Sequence, residues 1–483
     1  MSIDLLVHGS VLTVPCYTRP MIGDAATLTR RSRSLATLPF LLCCSTLLFS
    51  ADWKISYLTF ADVSETLRMF ADSGLPGSNI SASAAWNRWI RDQDREVRAR
   101  IDRGEEDSIS NLILYGTSYT SLPRLESAES AGKTGGPLSE AAMARVRALV
   151  IAVHSAQPNE RIRIVRDFLK RKGIAAGDAS HYLTANLQRF ADEQRAYQQK
   201  LVEAAHSGDM NEVLSTRGTL YQNRGLSADT SLMTNYALED TLSSLIAKNF
   251  LASGSVRRIA VIGPGLDFTN KHNGYDFYPL QTIQPFAAME TALRLNLAKP
   301  DNIEVFTLDL NPSVNAHIAR LAHEALSGRP YIVQLPRDSE DEWPSGAENY
   351  WQHFGEIIDV QAKPLPVPQT LTGVTLRAVS IAPRFASRIT PLDANVVTQR
   401  VALPPARGFD LVIATNILVY YDRFQQALAM ASIARMMNPG GIFLSNDALS
   451  AHHVQSLEFL DRHSVSFSTK GRFGDNVLSY RRK

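Results

Sequence analysis

The feature that most restricts the fold of this 483-residue chain is in its second half. From residue 257 onward, short apolar runs alternate with amphipathic helical patterns. "RIAVIG" (258–263) reads as a strand and "PFAAMETALRLNLA" (285–298) as a helix. "IEVFTLDL" (303–310) reads as a strand and "PSVNAHIARLAHEAL" (312–326) as a helix. "SRITPLDA" (387–394) and "FDLVIATN" (409–416) continue as strands. A helix follows over "DRFQQALAMASIARMM" (422–437), then a strand over "GIFLSND" (441–447) and a closing hairpin over 464–482. Such alternation demands a mostly parallel sheet with helices on both faces, a Rossmann-like doubly wound α/β fold. Ligands of these sheets bind at the carboxyl ends of the strands.

The first half has another character. "SASAAWNRWIRDQDREVRARIDRGEEDS" (81–108) follows a serine cap candidate. It carries Trp86, Trp89, Ile90, Val97 and Ile101 at helical spacing. Residues 52–138 mix helical and loop signals, and 127–140 is rich in small residues, as in a linker. Its "GKT" lacks the preceding glycine and strand that a phosphate loop needs. Residues 139–250 read as all-helical, with no repeat of fixed period. The expected organisation is therefore a segment 1–51, a mixed region 52–138, a helical domain 139–250 and a Rossmann-like domain 251–483.

Within the first segment, basic "TRRSRS" (29–34) precedes apolar "LATLPFLLCCSTLLF" (35–49). This order reads as an export signal or anchor. The run is shorter than the ~20 residues of a membrane span, and a buried helix is the competing reading. All three cysteines, Cys16, Cys43 and Cys44, lie here, so the remaining chain has no disulfide framework. The eleven histidines include one adjacent pair, His452–His453, and show no metal-ligand spacing; no metal is expected. Fifty basic residues against 48 acidic ones give +2, which carries no nucleic-acid footprint.

Candidate site residues fall where strands end. Gly263 and Gly265 close the first strand, and glycine lets backbone pass close to a ligand. Asp309 ends the second, where a carboxylate can accept hydrogen bonds from both hydroxyls of a ribose. Asp393 ends the third, where it can accept from an adenine amino group. Asn416 ends the fourth and faces the expected centre of the cleft. Alone, each is an ordinary cap or turn residue. Four in order on one alternating pattern point to a nucleoside-bearing ligand.

"IAVIGPG", "VFTLDLNPSV", "ITPLDA" and "FDLVIATNILVYYDRFQQALAMASIARMMNPGGIFLSND" resemble the successive motifs of class I S-adenosylmethionine-dependent methyltransferases. "TNILVYYD" (415–422) is similar to a block of chemotaxis-receptor methyltransferases. The resemblance covers about 250–483. It implies S-adenosyl-L-methionine as cofactor, with Gly263 and Gly265 under its methionine part. It also implies Asp309 on the ribose, Leu310 packed on the adenine, Asp393 with Ala394 at the adenine amino group, and Asn416 beside the transferred methyl. Tyr420 lines the pocket. No catalytic residue is assigned, because an activated methyl mainly needs an aligned acceptor.

The chain departs from the family's pattern at two places. Val261 stands where the family often has an acid, and Asp267 where it often has a third glycine. The loop 266–284 is long and aromatic. The expectation is that it closes over the cofactor, that Asp267 or Asp276 replaces the missing acid, and that Tyr275 and Tyr278 border the substrate. A second insertion, 328–373, reads as an exposed excursion. The methyl acceptor is a small molecule or a protein. A cofactor-binding module without catalysis, serving helix-mediated assembly, is the alternative. A nicotinamide oxidoreductase fits less well: it wants a third glycine and an acid about 20 residues on. The cofactor is a cytosolic metabolite, which favours the cytoplasm; segment 29–51 favours export.

Overall fold

The computed structural model describes residues 6–7, 10–11, 53–125, 136–156, 159–206, 225–226, 231–268, 275–404, 407–447, 454–470 and 474–483. The chain divides into two compact units, 1–51 and 52–483. In the first, β1 (Leu6–Val7) and β2 (Ser10–Val11) pair antiparallel. The three cysteines, the apolar run 35–49, the "GKT" and the His452–His453 pair lie outside the described residues.

The second unit opens with β3 (Ile55–Tyr57). Helix α1 (Phe60–Phe70) starts on a capping box, in which the Thr59 side chain takes the Asp62 N–H and the Asp62 side chain takes the Thr59 N–H. Then come α2 (Ser83–Tyr115), α3 (Glu140–His154), α4 (Glu160–Arg171), α5 (Ala179–His206) and α6 (Leu232–Ala247). The alternating half follows: β4 (Arg258–Ile262), α7 (Gln284–Arg294), β5 (Glu304–Asp309), α8 (Pro312–Leu326). The second insertion holds β6 (Tyr331–Asp338), α9 (Ser345–His353) and β7 (Asp359–Ala362), and β8 (Val374–Ile381) succeeds it. The chain continues with α10 (Pro383–Ala386), β9 (Ile389–Asp393), β10 (Gln399–Val401) and β11 (Phe409–Ala414). It closes with α11 (Arg423–Met436), β12 (Met437–Ser445), β13 (Leu457–Ser466) and β14 (Gly474–Arg482).

The main sheet has the order β13-β14-β12-β11-β4-β5-β9. Strands β9, β5, β4, β11 and β12 run parallel, and β14 is antiparallel to both its neighbours. Strand order reverses between β4 and β11, which leaves a crevice at their carboxyl ends. This is a Rossmann-like doubly wound α/β fold, preceded by a mostly helical region.

Side-chain alternation along the strands divides the core in two. Ile259, Val261, Leu411 and Ile413 face a layer with α3 to α8. Ala260, Ile262, Val412 and Ala414 face the opposite layer, with α1 and α11. Helix α2 belongs to both. Its Trp86, Ile90 and Val97 pack into the second layer, and its Ile109, Leu112 and Ile113 into the first. At 33 residues it is about 50 Å long, enough to run across the sheet from one layer to the other.

Two features depart from the sequence expectation. The insertion 328–373 is not simply an exposed excursion: with β8 it builds a second sheet of order β6-β8-β7, and Val333, Leu335 and Phe354 are fully buried. Strand β3, from the mixed region, pairs antiparallel with β10. Among the described residues no helix is long and apolar enough to cross a membrane.

Candidate functional site

A cleft opens in the crevice at the switch point. Its floor is the turn after β4. Gly263 and Gly265 both have left-handed backbone, at φ +64° and +68°, which glycine adopts without steric cost. The Gly263 N–H donates to Leu308 O at 2.9 Å, fastening the turn to β5. Ile417 lies directly over Gly263: a β-carbon added there would sit 2.1 Å from Ile417 Cδ1.

Asp309 stands at the end of β5, on the lip of the cleft. Its Oδ1 accepts the Asn311 N–H at 2.8 Å. Burial pushes its carboxyl up to about 6, although backbone N–H groups of Asn311, Gly265 and Leu310 hold it down; nearby Asp393 adds to the rise. Leu310, Ala394 and Val396 supply an apolar wall.

The far wall is the turn after β11. Ile417, Tyr420 and Tyr421 line the cleft there. The Arg100 guanidinium of α2 donates to Tyr420 O at 2.9 Å and lies over the Tyr421 ring. Burial pushes the Tyr421 hydroxyl up to about 12. Beneath the turn, Asp447 Oδ2 accepts the Leu418 N–H at 2.8 Å. Its carboxyl is raised to about 7 by burial, against the N–H groups of Leu418, Val419 and Ile417. Ile101 of α2 and Leu226 roof the cleft. The Leu226 N–H donates to Arg100 O at 3.1 Å, and Gly104 leaves room for it: a β-carbon at 104 would meet Leu226 O at 1.9 Å.

The cleft thus gathers Gly263, Gly265, Asp309, Leu310, Ala394 and Tyr420. It does not gather Asp267, Asp393, Asn416, Tyr275 or Tyr278 among its lining residues. Asp393 Oδ1 accepts Arg98 Nη1 at 2.7 Å, and Arg98 also reaches Asp94. Asn416 has left-handed backbone at φ +58° and exchanges hydrogen bonds with Asn446. Asp267 Oδ2 accepts from the Tyr278 hydroxyl at 2.8 Å and from Gln281 at 3.0 Å. Tyr275 donates to Asp338 at 2.6 Å. Asp276 is fully buried and accepts from the backbone and hydroxyls of Thr117 and Ser118, just past α2. Arg161 of α4 clamps the same loop through the carbonyls of Asp267, Phe268 and Tyr278. The described part of loop 266–284 is therefore fastened to the helical half at both ends.

Sequence reasoning missed the roof. Ile101 was visible only as one more apolar position of an amphipathic helix, and nothing local marked Leu226. Asp447 carried a weak signal, an acid just past a strand. Among the described residues no three His, Cys, Asp or Glu side chains group to hold a metal ion.

No family model matches this chain, and no curated protein matches it. Solved structures that match include the N-methyltransferase NodS from Bradyrhizobium japonicum WM9, at 13% identity over 50% of this chain and 93% of that one, with a TM-score of 0.24. A second is magnesium protoporphyrin IX methyltransferase from Synechocystis PCC 6803 with bound SAM, at 9% identity, 68% and 100% coverage, and TM-score 0.25. A third is precorrin-6y C5,15-methyltransferase from Geobacter metallireducens GS-15, at 9% identity, 50% and 88% coverage, and TM-score 0.23. Likeness this distant carries no argument about activity. The fold stands on strand order and pairing.

Proposed function

We propose that this protein is an S-adenosylmethionine-dependent methyltransferase. One observation carries the reading: at the switch point of the sheet, a single cleft collects the glycine turn Gly263–Gly265, the strand-end acid Asp309 and the apolar residues Leu310 and Ala394. The residues fit the cofactor. Two left-handed glycines bring bare backbone to the floor of the cleft. A carboxylate at the lip suits a ribose diol. An apolar wall suits an adenine face.

Gly263 and Gly265 would lie under the methionine part, Asp309 would accept from the ribose hydroxyls, and Leu310 and Ala394 would flank the adenine. Bound there, the cofactor supplies a methyl group already activated on a sulfonium sulfur. The chain's own contribution is alignment and exclusion of water, and Ile101 with Leu226 closes the cleft from above. Tyr420 and Tyr421 present aromatic surface on the side opposite Asp309, which favours a cationic sulfur. Incubation of the purified chain with methyl-labelled S-adenosylmethionine and cell extract tests the reading. Label transferred to a defined product supports it. Tight cofactor binding without transfer under any condition favours the binding module instead.

A further inference from the structure

The end of α3, one face of α4 and the start of α5 border an open groove of about 470 Å³, which shares no lining residue with the cofactor cleft. Helix α4 stops on a Schellman turn. Gly173, at φ +70°, donates its N–H to Lys170 O at 3.0 Å, and the Ile174 N–H donates to Leu169 O at 3.0 Å. The turn brings Ile174, Ala175 and Ala176 into the groove wall. The floor is apolar and buried: Val153 and Leu169 are each 5% exposed and Ala179 2%. The charged and titratable lining is all basic, from His154, Arg166 and Lys170, with no acid. Arg166 Nε donates to Val153 O at 2.8 Å and its Nη2 to Ser155 O at 2.7 Å. Carbonyls at the end of α3 thus fix the guanidinium plane and leave its charge without a counter-ion. Elsewhere on α4, Arg163 pairs with Glu160 and Asp167, and Arg171 with Asp102 and Glu105. Among the described residues, Arg166 and Lys170 pair with no carboxylate.

We propose that this groove binds a free alkyl carboxylate, with its head between Arg166 and Lys170 and its chain over Val153, Leu169 and Ala179. The inference does not depend on the methyl-transfer reading. Two cations without carboxylate partners call for an anion, and a guanidinium already held in one plane meets a carboxylate at little further cost in side-chain freedom. The apolar floor calls for a chain, since each methylene laid there leaves water. The floor lies below an exposed rim of His154, Lys170, Ala175 and Ala176. A thin alkyl chain reaches such a floor where the surface of a bilayer does not.

The test uses the full chain with octanoate, 1-octanol and octylamine as probes, read by ligand-observed NMR, and with phosphatidylglycerol vesicles, read by co-sedimentation. Two variants change exposed rim positions, where the fold tolerates substitution: Lys170→Glu reverses the charge at the head, and Ala176→Trp fills the groove. The expected result is that octanoate binds and that the alcohol and the amine each bind at least tenfold more weakly. Lys170→Glu weakens octanoate at least fivefold and Ala176→Trp abolishes its binding, while both variants keep the parent's urea midpoint. Absence of octanoate binding, equal binding of the alcohol or the amine, or octanoate binding untouched by either variant overturns the proposal. Binding to the vesicles without binding to octanoate also overturns it, in favour of a membrane surface as the partner of these cations.

Discussion

Replacing Gly263 by alanine tests the floor of the cleft in two ways at once. The backbone there has φ +64°, and a left-handed conformation costs a residue with a β-carbon about 1–2 kcal/mol. The new methyl would also lie 2.1 Å from Ile417 Cδ1 and 2.8 Å from its Cγ1. Overpacking of this kind costs about 1–3 kcal/mol, and the far end of Ile417 can swing to lower that figure. The sum is a loss of about 2–4 kcal/mol in Gly263→Ala. The two contributions separate in a double-mutant cycle. Ile417→Ala removes the overlap and leaves the backbone cost, so the double variant should lose about 1–2 kcal/mol less than the sum of the singles. Urea unfolding followed by tryptophan fluorescence reads both quantities as midpoint shifts at constant slope. A Gly263→Ala variant within about 0.5 kcal/mol of the parent, the level of an unremarkable surface change, would refute the reasoning. An additive cycle would refute the part played by Ile417.

Three further outcomes are expected. Because the Asp309 carboxyl is raised to about 6 and only its ionised form accepts both ribose hydroxyls, cofactor affinity should be full above pH 7 and about tenfold weaker at pH 5, where about one molecule in eleven is ionised; titrations across pH 5–8 read this directly. Asp447, at about 7 folded against about 3.9 unfolded, binds its proton more tightly in the native state, so its contribution to stability is largest at low pH and is lost as pH rises from about 4 to 7. Unfolding midpoints of Asp447→Asn should therefore gain on the parent over that window and run parallel above it. Asp276→Ala strands the buried donors of Thr117 and Ser118 and should cost about 3–5 kcal/mol, read as a fall in the urea midpoint.

Much of the second half was legible because each strand is an apolar run that ends in a turn residue. β4, β5, β9 and β11 lie within the expected strands, and α8 matches the expected 312–326. β12 begins at Met437 rather than Gly441, since its pairing with β11 breaks register between Phe409 and Leu411 and takes in an earlier segment. The second sheet escaped notice because the acids and prolines of 336–368 masked the strand pattern of "YIVQL", whose inward face is buried by tertiary packing alone. In the site, residues at strand ends were legible by position. Those donated from the helical half were not: Ile101 and Leu226 reach the cleft only because α2 runs across the sheet from one core layer to the other. The acids Asp267 and Asp276 show the converse. Their types suggested a ligand contact, but the structure engages both with neighbouring hydroxyl and amide donors.

The most direct measurement is a calorimetric titration of the full chain with S-adenosylhomocysteine, set beside Asp309→Ala. The account predicts micromolar binding by the parent chain and a loss of at least tenfold, about 1.4 kcal/mol, in the variant. No binding by the parent, or equal binding by the two, would contradict the claim that this cleft holds the cofactor through its strand-end acid.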